Sequence, residues 1–179
     1  AYRRQRQMCI RDRVVRDSGM QLPEHTFYVD FIYAYQPFPW VKSMLYMDIP
    51  FYHYFIGREG QSVQTDVMIR RVAQLRLVNQ RMVEATPEPG TVPDGLYRYM
   101  IHFLAIESSV TSVFLILSKD KANYRLKDEL WADIDKASPA IGRDVRRKLV
   151  SRALNLRGSV GRWVIRRGYV VAEKVVGFN

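Results

Sequence analysis

Residues 51–63 read Phe-Tyr-His-Tyr-Phe-Ile-Gly-Arg-Glu-Gly-Gln-Ser-Val. Aromatic residues flank a single histidine, His53, and two glycines, Gly57 and Gly60, enclose an Arg-Glu pair. Because glycine adopts backbone conformations that are closed to other residues, this spacing predicts a sharp turn that presents polar side chains. The stretch therefore predicts a strand, a turn and the start of a helix, at a place suited to hold a ligand.

The chain before this turn predicts short strands. Residues 25–35 alternate in part and are rich in aromatic and β-branched residues, which is typical of a strand, and residues 49–56 predict a second one. Residues 41–47 predict a short helix or strand. Asp30 is the only acid in residues 25–35. An acid is disfavoured in a buried strand, so Asp30 lies either at the strand end or where chemistry requires it.

The chain after the turn predicts helices. A helical period begins at Thr65, which can cap it, and a loop follows over residues 86–95. Residues 96–118 are apolar on nearly all sides and predict a buried helix. Further helices are predicted over residues 123–136, over residues 139–154, and after Gly158 and Gly161. The last of them carries on one face Val160, Val164, Val171, Val175 and Phe178.

Positive charge is concentrated at the two ends of the 179-residue chain. Residues 1–13 carry five arginines against Asp12, and residues 141–179 carry ten Lys or Arg against Asp144 and Glu173. These ends have net charges of +4 and +8, which leaves −2 for the rest of a chain whose total is +10. The length and the apolar fraction of 47% suit one domain with a real core.

Sequence signals for export and for membrane insertion are weak. Cys9 is the single cysteine and permits no intramolecular disulfide, and the arginine-rich start does not predict a signal peptide. Arg98, His102 and Glu107 interrupt the most apolar segment. We therefore predict no transmembrane helix.

Residues 1–13 resemble translated sequencing-adapter read-through of the kind found at the ends of metagenomic reading frames. The match lies in the run Arg-Arg-Gln-Arg-Gln-Met-Cys-Ile-Arg-Asp-Arg. We expect this segment to stand outside the fold, with the natural protein having its own N-terminal part before residue 14. The alternative is a disordered basic arm that binds nucleic acid or anionic lipid.

Two blocks of sequence resemble the second half of a bacterial family 2 glycosyltransferase. They are His25-Thr-Phe-Tyr-Val-Asp30 and Tyr52-His-Tyr-Phe-Ile-Gly-Arg-Glu-Gly-Gln-Ser-Val63, separated by a proline-containing spacer. In that family a short aromatic strand leads to an acid, and an Arg-x-x-Gln-Ser turn later enters a helix. The resemblance implies an α/β fragment that turns mostly α. Residues 14–85 would hold the last strands of a GT-A-like catalytic domain, and residues 96–179 a helical C-terminal extension.

The resemblance implies inverting transfer of a sugar from a nucleotide-sugar donor to a cell-envelope or polysaccharide acceptor. Asp30 falls where the family has its general base, which accepts the proton of the acceptor hydroxyl. The family pattern often has Glu-Asp where this chain has Val29-Asp30, so a second carboxylate is missing. Arg58, Gln61 and Ser62 match the motif near the acceptor and the leaving diphosphate, where charge and hydrogen bonds are needed.

The same residues have structural alternatives. Arg58, Gln61 and Ser62 can instead form a helix cap and a surface ion pair with Glu59. His53 is counted with them as a candidate substrate-binding residue. As a metal ligand it lacks a second His or Cys at ligand spacing, so a packed histidine is favoured.

The family's nucleotide-binding strands and its Asp-x-Asp metal motif lie upstream of the matched region. After residue 13 this chain has Asp-x-Asp only at Asp133-Ile-Asp135, in a predicted helix and in the wrong order. The resemblance thus implies Mg²⁺ or Mn²⁺ for the full-length enzyme and no cofactor in this chain, which we expect to be inactive alone. The implied location is the cytoplasm, with residues 158–179 as a peripheral anchor on the anionic inner face of the cell membrane.

Three alternatives stay open. The last helix can pack its valines on the preceding helices, with its arginines in solvent. The basic C-terminal region can belong to a nucleic-acid-binding module, although no helix-turn-helix or zinc pattern accompanies it. The helices can also form a non-catalytic scaffold, in which Asp30→Asn would be harmless.

Overall fold

The computed structural model of this chain describes residues 2–5, 12–50, 52–55, 61–156 and 158–176. In that part of the chain the strands β1 (Tyr2–Gln5) and β2 (Tyr52–Phe55) form one antiparallel pair. The helices are α1 (Asp12–Asp17), α2 (Val29–Tyr35), α3 (Thr65–Arg70), α4 (Val72–Glu84), α5 (Asp94–Leu117), α6 (Lys121–Ala137), α7 (Pro139–Arg147), α8 (Leu149–Leu154) and α9 (Gly158–Val176). The predicted mostly helical character is confirmed, whereas the described residues contain no sheet of a GT-A-like domain.

The strand prediction for residues 25–35 is wrong, because Val29–Tyr35 form α2. Tyr28, Ile32 and Tyr35 are the buried residues of this segment, and their spacings of 4 and 3 residues follow a helix rather than a strand. Helix α2 packs against α4, so tertiary contacts rather than intrinsic preference decide its conformation.

The chain enters the core at Phe38 and leaves it again before β2. Residues 41–50 have no regular secondary structure, so the helix or strand predicted over residues 41–47 is wrong. Their apolar side chains stay in solvent, and Leu45 is 83% exposed. Strand β2 lies within residues 49–56 and confirms the strand predicted there. The glycine turn at residues 56–60 lies outside the described residues.

Helix α5 is the centre of the fold and confirms the buried helix predicted over residues 96–118. It packs against α3, α4, α6, α7, α8 and α9, and Met100, Leu104 and Leu115 are completely buried within it. In the part of the chain that the structure describes, α5 is the one helix long and apolar enough to cross a membrane. However, 72% of its 18-residue apolar window is buried inside the protein, as in the core helix of a soluble protein.

Two helices predicted as single elements are each divided. The helical period that begins at Thr65 breaks at Arg71 into α3 and α4, and residues 139–154 break at Lys148 into α7 and α8. Thr65 is the first residue of α3 rather than its cap. The predictions of a helix over residues 123–136 and of a loop over residues 86–95 are confirmed, although the loop ends at Pro93.

Helix α9 begins at Gly158, so Gly161 lies inside the helix rather than before it. The backbone of Gly161 is packed on Leu156 so closely that a Cβ would lie 2.7 Å from the Leu156 carbonyl carbon. Further along, Ile165 is buried against Val113 and Ile116 of α5. These contacts fix which side of α9 faces the core.

The predicted valine face of α9 is the exposed one. Val160, Val164 and Val171 are 73%, 42% and 61% exposed. The side chain of Val175 and the whole of Phe178 lie outside the described part of the chain. The alternative in which the valines pack on the preceding helices is therefore wrong for the three valines that the structure describes.

Candidate functional site

The turn before α2 has an unusual backbone. His25 and Tyr28 have φ angles of 52° and 67°, in the left-handed region that residues other than glycine rarely adopt. Such conformations cost about 1–3 kcal/mol each and persist where surrounding contacts hold them. Tyr28 leads directly into α2 and places Asp30, whose side chain is exposed, in the first turn of that helix.

Tyr28 joins this turn to the segment that begins at Gln61. Its hydroxyl donates a hydrogen bond of 2.8 Å to the backbone carbonyl oxygen of Ser62, and its side chain is only 9% exposed. Burial raises the pKa of Tyr28; the charge of Arg71 lowers this pKa and the charge of Asp30 raises it. Both charges therefore lie near the phenol group that contacts Ser62.

Arg71 and Gln74, at the start of α4, also contact the turn before α2. The guanidinium carbon of Arg71 lies 3.5 Å from the centre of the Phe27 ring, which is a cation–π contact. The backbone N–H of Phe27 donates a hydrogen bond of 2.9 Å to Oε1 of Gln74. Because Phe27 and Gln74 are 47 residues apart, no local sequence pattern signals this contact.

A second carboxyl group lies within reach of the charge of Asp30. Glu107 of α5 is 7% exposed, and its carboxyl group has no hydrogen bond or ion pair to any residue that the structure describes. Burial raises the pKa of Glu107 to about 8, and the charge of Asp30 raises it further toward that value. At neutral pH Glu107 is therefore mostly an uncharged carboxylic acid, which can donate a hydrogen bond.

An unsatisfied polar group lies one helical turn beyond Glu107. The hydroxyl of Thr111 is buried and has no hydrogen-bond partner within the described ranges. Residues four apart are neighbours on a helix surface, so Glu107 and Thr111 lie on the same side of α5. In the sequence, Glu107 appeared only as an interruption of an apolar run. A lone acid at a buried helical position was the signal that could have singled it out.

The structure joins the two segments that carry three of the five predicted site residues. Through Tyr28, the helix start that carries Asp30 contacts the segment with Gln61 and Ser62. Gln61 is 7% exposed and Ser62 is half-buried. The two segments are therefore neighbours, and Arg71 packs on Phe27 beside them.

The other two predicted residues have different outcomes. His53 is exposed on β2, in register with Arg4 of β1, so its interpretation as a packed core histidine is wrong. Arg58 lies outside the described residues, and its role near a leaving diphosphate stays a prediction.

The divalent cation expected of the full-length enzyme stays a prediction. Within them, no group of three or more His, Cys, Asp or Glu residues comes together. The Asp-x-Asp of α6 is engaged elsewhere: Asp133 lies 3.3 Å from Arg76, and Asp135 lies 2.6 Å from Arg146. Both carboxylates of this Asp-x-Asp therefore lie beside arginines.

Comparisons of the chain with models of protein families, with curated proteins and with solved structures find no match. The resemblance to family 2 glycosyltransferases therefore rests on the two sequence blocks around Asp30 and Ser62. The contact between these blocks is the structural feature on which a functional proposal can be built.

Proposed function

We propose that this chain carries the acceptor side of an inverting family 2 glycosyltransferase, with Asp30 as its general base. In this proposal the nucleotide-binding half and the remaining strands of a GT-A-like domain precede residue 14 in the natural protein. The hydrogen bond from Tyr28 to Ser62 supports the proposal most, because it makes neighbours of the two blocks through residues that are 34 positions apart in the sequence.

Asp30 has the accessibility that a general base requires. Its carboxylate is exposed, so the hydroxyl group of an acceptor sugar can approach it. In the proposed step, the acceptor oxygen forms a bond to the anomeric carbon of the donor while the bond from that carbon to the nucleoside diphosphate breaks. The hydroxyl proton passes to Asp30, and attack from the side opposite the leaving group inverts the anomeric configuration.

The neighbours of Asp30 adjust the charge around it. Glu107 is mostly uncharged at neutral pH, so Asp30 is not faced by a second carboxylate there. The cation of Arg71 lies near Tyr28, in the turn that leads to Asp30. The segment with Gln61 and Ser62 would supply hydrogen bonds to the substrate, and Arg58 would compensate the charge of the leaving diphosphate.

The test begins with the uninterrupted genomic reading frame. It should continue upstream of residue 14 into an α/β half that contains Asp-x-Asp. The longer protein and this chain are then purified in parallel and given a panel of nucleotide sugars with glycan acceptors, and release of nucleoside diphosphate is measured. We expect release by the longer protein and none by this chain alone. Transfer by this chain alone, or an upstream frame without such a half, would overturn the proposal.

The nucleic-acid-binding alternative has lost part of its support. Arg146 binds Asp135 through hydrogen bonds of 3.0 and 2.6 Å and lies 5.0 Å from the ring centre of Trp131. Arg143 and Arg147 remain exposed on α7. A salt-dependent mobility shift of DNA or RNA, together with the absence of sugar transfer by the longer protein, would favour this alternative.

A further inference from the structure

Helix α9 exposes an apolar stripe along its outer side. We define the stripe as Val160, Trp163, Val164, Val170 and Val171, which are 73%, 57%, 42%, 45% and 61% exposed. Successive residues of an α-helix are about 100° apart, so these five side chains fall within an arc of about 120°. From Val160 to Val171 the stripe is about 16 Å long at 1.5 Å per residue.

The side of α9 opposite the stripe packs against the rest of the protein, which leaves the stripe in solvent. Ile165 is 3% exposed and packs with residues of α5, and the ring of Tyr169 meets Phe114 of α5 edge to face with a centroid distance of 5.8 Å. The hydroxyls of Tyr169 and Thr65 form a hydrogen bond of 2.8 Å, which ties α9 to α3. Because these contacts fix the rotation of the helix, the stripe cannot turn inward without breaking them.

The charges of α9 are distributed to suit an anionic partner. The only described acid of the helix, Glu173, accepts a hydrogen bond of 2.8 Å from Thr65 and so is held toward α3. Arg167 is exposed within the arc of the stripe, and its guanidinium carbon lies 5.8 Å from the ring centre of Trp163. Residues 141–179 as a whole have a net charge of +8. The stripe therefore combines an apolar surface with the positive charge of Arg167, while the described acid of α9 is held toward α3.

We propose that the stripe of α9 docks on the surface of an anionic lipid bilayer, with the helix axis parallel to the membrane. Amphipathic helices in this position bury their apolar face about 5–10 Å into the boundary between headgroups and acyl chains. The valines would occupy the acyl side of that boundary, and Trp163 the interfacial level that tryptophan prefers. Arg167 would extend its stem along the apolar surface and place its guanidinium group at the lipid phosphates. This inference does not rest on the proposed sugar transfer.

The experiment is cosedimentation of this chain with vesicles of phosphatidylcholine, with and without phosphatidylglycerol. We expect binding to the phosphatidylglycerol vesicles, weaker binding at high salt, and little binding to phosphatidylcholine alone. The double variant Val164→Ser/Val171→Ser should bind at least about tenfold less, because each valine loses its transfer out of water. Both residues are exposed, so the variant should keep the circular dichroism spectrum of the parent chain.

A matched pair of exposed apolar residues provides the control. Leu45 and Met47 are 83% and 58% exposed and lie outside α9, so Leu45→Ser/Met47→Ser should leave binding unchanged. An equal loss of vesicle binding in both double variants would overturn the assignment to the stripe. The proposal would also be overturned if the parent chain did not bind vesicles, or bound them equally with and without phosphatidylglycerol. Light scattering measures whether a second copy of this chain, rather than a lipid surface, covers the stripe. A dimer that Val164→Ser/Val171→Ser dissociates would refute the lipid proposal.

Discussion

Replacing Glu107 with glutamine should stabilise the protein at neutral pH. The pKa of Glu107 is raised from the usual 4.5 to about 8 in the folded protein, mainly by burial and further by the charge of Asp30. Below pH 4.5 the side chain is protonated in both the folded and the unfolded state. As the pH rises from 4.5 to about 8, the unfolded state releases its proton while the folded state keeps it. Folding therefore becomes less favourable over this range.

The size of the effect follows from the two pKa values. Each pH unit between them costs about 1.4 kcal/mol of folding free energy, which gives about 3 kcal/mol at pH 7 and about 5 kcal/mol above pH 8. Residue Glu107 as a whole is 7% exposed, so it counts as a buried group in this order-of-magnitude calculation. Glutamine has a similar shape and stays uncharged, and therefore escapes the penalty at every pH.

The assay is urea unfolding at pH 5, 6, 7 and 8, followed by circular dichroism. The free energy of unfolding of Glu107→Gln minus that of the parent chain should increase with pH up to about pH 8 and then level off. Glu24→Gln is the matched control, since Glu24 is exposed, and its difference from the parent should be constant. The reasoning would be refuted if the difference in unfolding free energy between Glu107→Gln and the parent did not change with pH. It would also be refuted if the variant were less stable than the parent at pH 7.

Three further substitutions test the packing. Tyr28→Phe removes the hydrogen bond to the Ser62 carbonyl and should cost about 1 kcal/mol of unfolding free energy in urea; an unchanged value would show that this bond does not hold the two segments together. Gly161→Ala places a Cβ 2.7 Å from the Leu156 carbonyl carbon and should lower stability by about 1–3 kcal/mol, whereas a neutral result would contradict the close approach. Leu104→Ala, at a completely buried position, should lower it by about 2–5 kcal/mol, and a loss under 1 kcal/mol would contradict its burial.

The long helices were predictable because their apolar residues repeat with a helical period or fill every side. Residues 96–118 are the clearest case, since most residues of α5 from Met100 onward are buried by other helices. The strand prediction for residues 25–35 was wrong for a physical reason. Their aromatic and β-branched composition favours a strand, but Tyr28 and Tyr35 are buried at the spacing of a helix that packs on α4.

The candidate site was predictable only in part. Asp30, Gln61 and Ser62 were marked by their sequence blocks, and the structure joins the two segments that carry them through Tyr28. The contacts that join them come from Tyr28 and Arg71, which bring together distant parts of the chain and leave no local pattern. The exposure of the α9 valines was not predictable either. Periodicity defines an apolar face, but only the docking of the opposite side shows which face is left in solvent.

The most direct test of the proposed function is the turnover number of Asp30→Asn in the longer protein that contains this chain. Asparagine keeps the shape of the side chain but cannot accept the acceptor proton, so kcat should fall by a factor of about 10²–10⁴. Asp17→Asn, an exposed acid at the end of α1, is the control and should retain full activity. Activity of Asp30→Asn equal to that of Asp17→Asn would contradict the assignment of Asp30 as the general base.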